Sequence, residues 1–536
     1  MLAPPVSEAK PSEAPEISAR YPWYALGVLA LVYMMNFLDR QILSILAEAI
    51  KADLGVTDAQ LGFLYGTAFA VFYAVFGIPL ARLSDSWIRK KVIAMGLALW
   101  SVMTALSGTA RSALTLGAYR IGVGVGESSA TPAAYAMLTD YFPPRLRATA
   151  LSLYAGGLYV GQGLGLFLGG YVLDRWDQVF PGGIGWGGLR GWQAAFFLVG
   201  LPGLALACWV WTLREPVRGV QEGLPPGEIE ERPGRMLLEE LGTVIPPFTF
   251  RSLRRAGATT RQIGANLLGA LLLALAATGM LVWVGAPEQW VALAIGLYAT
   301  FSWAQGLSLR DPPTFEMLFR SAALRHTVLG VSAGSFVTYA FMFWTAPFLL
   351  RTHDVSATEV GFSLLVANVV GAAFGVTGGG MISDRLKRRF PGGRAALILV
   401  VMVLHIPAAL LLLTTSSLHV AYAAVVAFYL VNTAWVGSAT AIVTELVLPR
   451  MRAIASAMLL LMYTFVGLAL GPFAVGRVSD LLVASGSSGG DALRYALLLA
   501  VLPLVLCVIF LAMAIRSIPA AEASVADRAR AAGEHV

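Results

Sequence analysis

Long apolar blocks, each about the length of a membrane-crossing helix, dominate this sequence. A helix needs roughly 20 predominantly apolar residues to cross the hydrocarbon core of a bilayer, and block after block of that length follows along the chain. Charged residues make up only 13% of the 536 residues, whereas soluble domains average about 25%. Too little polar surface remains to cover a water-soluble globule. The sequence therefore predicts an all-α polytopic membrane protein.

About fourteen blocks can be counted, in a six-plus-two-plus-six arrangement. The predicted domains are a disordered tail (1–20), a six-helix half (21–213), a cytoplasmic linker (214–262), an inserted two-helix hairpin (263–308), a second six-helix half (309–516) and a second tail (517–536). Both tails have the composition of disordered cytoplasmic segments. The hairpin contains almost no ionisable group, which favours a structural role beside the core over a place on a transport pathway.

Basic residues mark one side of the predicted helices. Arg89, Lys90 and Lys91 follow the second block, and Arg145 and Arg147 follow the fourth. Because cytoplasmic loops are enriched in Lys and Arg, this distribution predicts that both termini are cytoplasmic. The same rule explains the net charge of +7, so the charge gives no reason to expect a nucleic-acid partner. We expect a monomeric, multi-pass membrane protein.

An internal repeat relates the two six-helix halves. Three features recur in the same order: Pro144 to Ala150 as Pro449 to Ala455, Gly161, Gly165 and Gly170 as Gly467, Gly471 and Gly476, and Asp85 with Arg89 as Asp384 with Arg388. The first two recur at offsets of 305 and 306 residues, and the third at 299. Transporters use such repeats for alternating access around a site at the membrane midplane.

Two of these stretches resemble signatures of the major facilitator superfamily. The run from Gly380 to Arg389 resembles the family's loop 8–9 signature, and Gly467 to Pro472 resembles its Gly-Pro signature. The first-half copies depart from both patterns, since Ala81 replaces the opening glycine of one and Leu166 the proline of the other. The resemblance implies the major facilitator fold, here with an inserted hairpin. Such a hairpin is more usual in bacterial members, so the resemblance also implies a bacterial inner membrane.

Three further stretches are similar to the spinster family within that superfamily. They are Asn36 to Arg40, Arg120 to Ser128 and Leu213 to Gly219. The first stretch alone also resembles organic-anion symporters, whereas the second is more specific. The resemblance implies proton-linked transport of lysophospholipids or sphingoid lipids.

Four charged residues are predicted to lie deep in the membrane: Asp39, Arg40, Arg120 and Glu127. Charges at such depth are costly and usually face a cavity or one another. Arg120 and Glu127 share a helix face but are about 10 Å apart along the axis, so we expect Asp39 to bridge them. Burial and a nearby guanidinium act in opposite directions on the proton affinity of a carboxylate. Asp39, Arg120 and Glu127 are therefore the predicted proton-coupling residues; a structural salt bridge is the alternative.

Other polar and aromatic residues within the blocks are candidates for contacting a substrate. The predicted substrate-binding residues are Asn36, Arg40, Tyr154, Tyr159, Gln162, Tyr339, Asn432 and Trp435. An anionic headgroup would meet Arg40 or Arg120, and an apolar tail would meet the second half, which has no deep carboxylate. For each single residue, helix packing or an interhelical hydrogen bond is the competing interpretation.

Charged residues also repeat at the predicted cytoplasmic helix ends. The predicted cytoplasmic gate consists of Asp85, Arg89, Asp140, Asp384, Arg388 and Glu445. We interpret them as two pseudo-symmetric ionic latches that hold neighbouring helices together in one access state. Charges that merely set the topology are the alternative.

Enzymatic chemistry lacks support in the sequence. The five histidines show no metal-ligand spacing, and no Gly-Lys-Ser/Thr phosphate loop occurs. The Gly-x-Ser-x-Gly pattern occurs at 330–334 and at 486–490, but neither stretch follows a predicted strand as a nucleophile elbow would, so we expect no catalytic residue, metal or cofactor. The favoured function is proton-coupled transport of amphipathic lipid-like molecules, with the substrate, protons and the bilayer as partners. A symporter of organic anions and a multidrug exporter are the alternatives.

Overall fold

The computed structural model describes residues 20–183, 188–218, 230–245 and 248–533, and these residues are predominantly helical. The first half consists of α1 (Tyr21–Leu54), α2 (Asp58–Ser86), α3 (Arg89–Ser107), α4 (Ala113–Glu127 continuing as Ala130–Tyr141), α5 (Pro144–Val179) and α6 (Gly191–Trp211). The predicted N-terminal tail up to residue 19 lies outside the described residues.

The linker and the hairpin follow, and then the second half. The linker contains α7 (Pro233–Leu241) and α8 (Phe248–Arg255), and the hairpin consists of α9 (Thr260–Val284) and α10 (Pro287–Arg310). After α11 (Pro312–Phe319) come α12 (Ala322–Thr352), α13 (Ala357–Arg389), α14 (Gly393–Thr414), α15 (Leu418–Glu445), α16 (Pro449–Ala484) and α17 (Gly489–Ala523). We call the membrane side where α1 begins and α17 ends the terminal side, and the other the opposite side.

The predicted all-α membrane architecture is confirmed, with an approximate helix count. Among the described residues, twelve helices are long and apolar enough to cross a membrane. The other two predicted spans are α4, which is broken at Ser128 and Ser129, and α10, which is the more polar arm of the hairpin. The predicted fourteen is therefore reached only when a broken helix and a partly polar one are included.

Local sequence signals account for the end of α1 and the start of α2. Gly55 ends α1 in the left-handed region, at φ 65°, and its N–H donates to the carbonyl of Lys51. Thr57 and Gln60 then form a capping box at the start of α2. A turn of three residues is thus sufficient to reverse the chain and make α1 and α2 antiparallel neighbours.

The breaks in α4 and α15 are related by the internal repeat. In α4 the hydroxyls of Ser128 and Ser129 donate to the carbonyls of Val125 and Gly126, so the helix is interrupted just after Glu127. The break in α15 follows Thr433, and Glu127 has Asn432 as its counterpart 305 residues later. Each half therefore places one polar side chain at a broken helix within the membrane.

Close packing of α1 on α5 requires glycine at Gly161. A Cβ atom added there would lie 2.1 Å from the carbonyl oxygen of Met34, whereas one added at Gly156 in the same helix would meet nothing within 4 Å. Gly161→Ala is therefore expected to destabilise the protein by about 1–3 kcal/mol through overpacking. Thermal unfolding in detergent measures this change. Gly156→Ala is the matched control, and an equal loss of stability in both variants would contradict the packing explanation.

The two halves are held together on the opposite side. In the part of the chain that the structure describes, the hydrogen bonds and ion pairs between halves lie toward that side, as in the pairs Gln41 to the Met342 carbonyl, Asp174 to Thr358 and Arg351 to Asp58. On the terminal side, a cavity of about 590 Å³ separates α2 and α4 from α16. The structure is thus closed on the opposite side and open on the terminal side.

The prediction of a disordered C-terminal tail is wrong for the residues up to 531. Helix α17 continues to Ala523, and α18 (Val525–Ala531) follows it. Arg528 donates to the carbonyls of Leu446 and Ala521, and Ala529 is fully buried. Alanine and arginine are strong helix formers, so an alanine-rich segment next to a folded surface becomes helical although its composition lacks large apolar residues.

Candidate functional site

A buried ion pair between Arg40 and Glu127 lies at the centre of the first half. Nη2 of Arg40 on α1 is 2.7 Å from Oε2 of Glu127, the last residue before the break in α4. The same guanidinium lies 4.1 Å from the ring centre of Phe69 and 4.7 Å from that of Phe37. Glu127 has no exposed surface and Arg40 is 8% exposed. Pairing and cation–π contacts together compensate for removing both charges from water.

Asp39 does not form the bridge that the sequence analysis predicted. Oδ2 of Asp39 accepts a hydrogen bond from Thr104 at 3.4 Å, and Arg120 donates to the main-chain carbonyl of Asp39 at 3.3 Å. The bridge to Glu127 comes from Arg40 instead. Neighbouring residues on a helix point about 100° apart, so only one of Asp39 and Arg40 can face the broken end of α4.

Several atoms of this charged cluster form no hydrogen bond of ordinary length and angle among the described residues. They are Oδ1 of Asp39, Oε1 of Glu127, and Nε and Nη2 of Arg120. Buried polar groups are normally paired, and exceptions concentrate where a group has a chemical task. A carboxylate oxygen without a donor is free to accept a proton, and a guanidinium nitrogen without an acceptor is free to meet an anion.

Aromatic side chains surround the charged cluster. The rings of Tyr154 and Tyr33 are stacked with their centres 4.4 Å apart, and the Tyr154 hydroxyl has no partner among the described residues. From the second half, Tyr339 is stacked at 6.5 Å and Trp435 lies edge-on at 6.4 Å to the same ring, that of Tyr463. Of the predicted substrate residues, Tyr154, Tyr339 and Trp435 therefore belong to aromatic clusters.

In the second half, the position equivalent to Glu127 is occupied by the uncharged residue Asn432. Its Oδ1 accepts from Thr338 at 2.8 Å and lies 3.2 Å from Nε2 of His405, whose Nδ1 lies 2.8 Å from the carbonyl of Val401. The carboxylate of Glu127 thus has an amide as its counterpart. Because His405 is engaged at both ring nitrogens, local interactions account for it, as the sequence analysis expected.

The remaining predicted substrate residues differ in how closely they approach the ion pair. Asn36 lies one turn before Arg40 and accepts from it at 3.5 Å. Gln162 is buried and Tyr159 is half-buried on α5, and no hydrogen bond among the described residues ties them to the charged cluster. The structure therefore brings Asn36 to the cluster and leaves Tyr159 and Gln162 apart from it.

Three residues of this site were missed by the sequence analysis: Phe69, Tyr73 and Thr104. Tyr73 lies four residues after Phe69 on α2, and its ring centre is 5.4 Å from the guanidinium carbon of Arg40. An aromatic pair with this spacing looks like ordinary core packing. In the sequence, the only signal was that both aromatic residues lie on one face of the same helix. The structure shows that this helix lines the terminal-side cavity.

The ion pairs on the terminal side lie within each half. Arg89 on α3 pairs with Asp140 on α4, as expected. In the second half, Arg394 takes the place of Arg388 and lies 3.0 Å from Glu445 and 3.3 Å from Asp384, whereas Arg388 is exposed. Arg394 is the counterpart of Arg89 at the offset of 305, so the match at 299 pointed to the wrong arginine.

Arg394→Ala is expected to lower the thermal stability of the protein, whereas Arg388→Ala is expected to leave it unchanged. The loss should be roughly 1–2 kcal/mol, between the values typical of exposed and buried ion pairs, because the side chain of Arg394 is 18% exposed. Unfolding of the two purified variants, compared in the same detergent, measures the difference. Equal stabilities would contradict the assignment of Arg394 as the counterpart of Arg89.

The opposite side is closed by a network that the sequence analysis did not find. Arg351 on α12 donates two hydrogen bonds of 2.7 Å to the carboxylate of Asp58, and a third, of 2.9 Å, to Glu48 on α1. Ser479 on α16 donates to Asp58 at 2.7 Å, and Asp480 accepts from the main-chain N–H of Asp58. This network joins the two halves around a fully buried carboxylate.

Comparison with known proteins identifies the family. A family model described as the Major Facilitator Superfamily matches residues 29–472. The chain belongs to the Major Facilitator Superfamily. In this superfamily the two six-helix halves enclose a transport site, so the protein is a multi-pass membrane transporter, and its family and fold are those of transporters rather than enzymes.

Several members of the Major Facilitator Superfamily are similar to this one. An MFS-type efflux pump of Mycolicibacterium smegmatis is 28% identical over 90% of each chain. Protein spinster of Drosophila melanogaster is 26% identical over 41% of this chain and 34% of its own length. A solved bacterial homologue of the human lysosomal transporter Spinster, inward-facing and unoccupied, is 26% identical with a TM-score of 0.68, covering 94% of this chain and 99% of its own. The predicted resemblance to the spinster family is confirmed.

Proposed function

We propose that this protein is a proton-coupled transporter of amphipathic lipid-like molecules, such as lysophospholipids or sphingoid lipids. It acts in a bacterial inner membrane with both termini cytoplasmic, and the structure then corresponds to the state that is open to the cytoplasm. The carrying observation is the buried Arg40–Glu127 pair beside a cavity lined mainly by apolar residues. The resemblance to spinster proteins supports the same substrate class.

The ion pair suggests how proton uptake could be coupled to substrate binding. While Glu127 is ionised, it neutralises Arg40 at 2.7 Å. A proton taken up by Glu127 removes that partner, and Arg40 then has positive charge available for an anionic headgroup. Release of the proton re-forms the pair and displaces the headgroup. Asp39 and Arg120 lie next to this exchange and would set its electrostatic environment.

The distribution of charge disfavours a symporter of small organic anions. Such a site would be expected to present cations from both halves, whereas the fully or nearly buried arginines of the membrane centre, Arg40 and Arg120, both come from the first half. The corresponding place in the second half holds Asn432 and His405 between aromatic rings. A headgroup on one side and an apolar tail on the other fit this asymmetry better.

Export of apolar drugs is a second candidate. It is favoured by the similarity to the Mycolicibacterium smegmatis efflux pump, which extends over 90% of both chains. The aromatic rings of Tyr154, Tyr339 and Trp435 would suit flat apolar molecules as well as acyl chains. The two candidates differ in the headgroup, because only an anionic or zwitterionic substrate needs Arg40.

The proposed function is tested with purified protein in vesicles that enclose a pH-sensitive dye. Lysophospholipids, phosphorylated sphingoid lipids, cationic dyes and small organic acids would be added in turn, and protein-free vesicles control for passive leakage. Proton movement that depends on the lipids supports the proposal. Proton movement with cationic dyes alone would favour the exporter, and with organic acids alone the symporter.

A further inference from the structure

The cavity on the terminal side has a wall that the repeated twelve-helix core does not supply. We propose that helix α10 of the inserted hairpin binds the apolar chain of the substrate, an inference that rests on the proposed function. The cavity, of about 590 Å³, is lined by α2, α4 and α16 and also by Ser302, Trp303, Gly306 and Leu307 of α10. The sequence of this hairpin favours a structural role, so its place in the cavity wall is a finding of the structure.

The cavity is continuous with the site around the ion pair. Its inner end includes Tyr73, whose ring lies 5.4 Å from the guanidinium carbon of Arg40. It also includes Ser128, the residue that follows Glu127. A molecule lying in the cavity therefore reaches from α10 to the side chains that surround the proposed headgroup position.

The length and lining of the cavity match a long apolar chain. On α2 the lining extends from Tyr73 to Asp85, about 18 Å by the helical rise. Between these ends the wall is formed mainly by apolar residues such as Ile78, Leu307 and Leu461. A small organic acid would leave most of that surface without contact, whereas a single acyl chain would cover it.

The outer end of the cavity is charged. Arg82, Asp85 and Arg310 lie there and are exposed, and Asp311 is held beside them by two hydrogen bonds from Arg450. The hydrogen bonding of Arg450 lowers the pKa of Asp311 to about 2, so this carboxylate stays ionised throughout the physiological range. The apolar stretch is thus bounded by polar groups at both ends, as an amphiphile in transit from an aqueous or interfacial phase requires.

Helix α10 is anchored to both halves, which makes it a fixed part of the wall. Gln289 accepts from Thr67 of α2 at 2.6 Å and donates to the carbonyl of Ala469 of α16 at 3.3 Å. Toward the terminal side, Tyr298 donates to Asn266 of α9 at 2.7 Å and lies 3.1 Å from the hydroxyl of Thr249 in α8. The hairpin therefore packs across the contact between α2 and α16, and α10 forms the third wall of the cavity.

Ligand protection of a single cysteine tests this inference independently of transport. In a background with Cys208→Ser and Cys507→Ala, Leu307→Cys would be alkylated with N-ethylmaleimide in detergent. We expect 16-carbon lysophosphatidylcholine to slow alkylation about tenfold and glycerophosphocholine, which shares its headgroup but has no chain, to have no effect. The control is Leu271→Cys on α9, whose side chain faces away from the cavity and is 56% exposed; its alkylation should not depend on which of the two is added.

Flux measurements separate this inference from the proposed function. Trp303→Ala is expected to raise the KM for the 16-carbon lipid about tenfold, whereas Trp283→Ala, at the exposed end of α9, should leave it unchanged. Protection of Leu307→Cys without any lipid flux would retain the chain site and remove the proposed function. Lipid flux with neither protection nor an effect of Trp303→Ala would overturn the inference, and so would the absence of both protection and flux.

Discussion

Glu127→Gln is expected to abolish lipid-dependent proton flux, with a loss of two orders of magnitude or more. Glutamine keeps the shape of the side chain but cannot carry a proton, and it leaves Arg40 without a charged partner at the centre of the membrane. Flux in dye-loaded vesicles, at equal amounts of protein in each preparation, measures the loss. Binding of the lipid should persist, because Arg40 is then permanently available to a headgroup.

The matched control for this prediction is Glu359→Gln. Glu359 is exposed near the start of α13 and accepts a hydrogen bond from Tyr422, so the same chemical change there should leave flux unchanged. A double variant, Arg40→Gln with Glu127→Gln, removes both charges of the pair, and its thermal unfolding shows whether the unpaired Arg40 of the single variant affects folding. Proton flux that survives in a folded Glu127→Gln protein would exclude Glu127 as the proton carrier.

Asp58→Asn is expected to open the opposite side and to depopulate the state seen here. The substitution removes the charge that Arg351 and Ser479 hold between the two halves, and breaking a buried pair of this kind costs about 3–5 kcal/mol. Such a free energy changes the ratio of the two access states by more than about a hundredfold. The cysteine variant Ser44→Cys reports the change, because Ser44 is buried at the α1–α12 contact on that side.

Labelling of Ser44→Cys by an impermeant maleimide should accelerate strongly in the Asp58→Asn protein, again without the native cysteines. Asp491→Asn is the control. Asp491 pairs with Arg494 on the same side of the membrane, but that pair lies within one helix, α17, and does not join the two halves. Unchanged labelling in both variants would show that the network around Asp58 does not hold the opposite side closed.

The fold could be predicted from the sequence because membrane helices leave a strong one-dimensional signal. Apolar blocks of bilayer length and the repeat of Pro144 to Ala150 at Pro449 to Ala455 are both visible without any tertiary information. Where loops differ between the halves, the same reasoning failed. After Asp85, α2 continues only to Ser86, whereas after Asp384, α13 continues to Arg389, so the motif match selected Arg388 and the helix-based offset selects Arg394.

The charged residues of the candidate site could be predicted from the sequence, whereas their pairing and the aromatic residues around Arg40 could not. Asp39, Arg40, Arg120 and Glu127 stand out because charges are rare in apolar blocks. Which of Asp39 and Arg40 faces Glu127 depends on the rotation of α1 about its axis, and periodicity does not give that angle. Contacts between distant helices, such as Arg351 with Asp58, leave no local pattern, since charges at helix ends are common for topological reasons.

Under the proposed proton coupling, the amide at Asn432, where the other half has the carboxylate of Glu127, would limit the work that a proton gradient can perform through this protein. A cycle that loads protons only on the central carboxylates has Asp39 and Glu127 at its disposal, so at most two protons cross with each substrate. One charge moving through 100 mV supplies about 2.3 kcal/mol, equivalent to a concentration ratio of about fifty. Two protons would sustain a ratio of about 2,500 at that voltage. These ratios hold for a substrate without net charge and for equal pH on the two sides. Under the proposed coupling, an amide in place of a carboxylate in one half would therefore set the upper limit of the gradient at a given voltage.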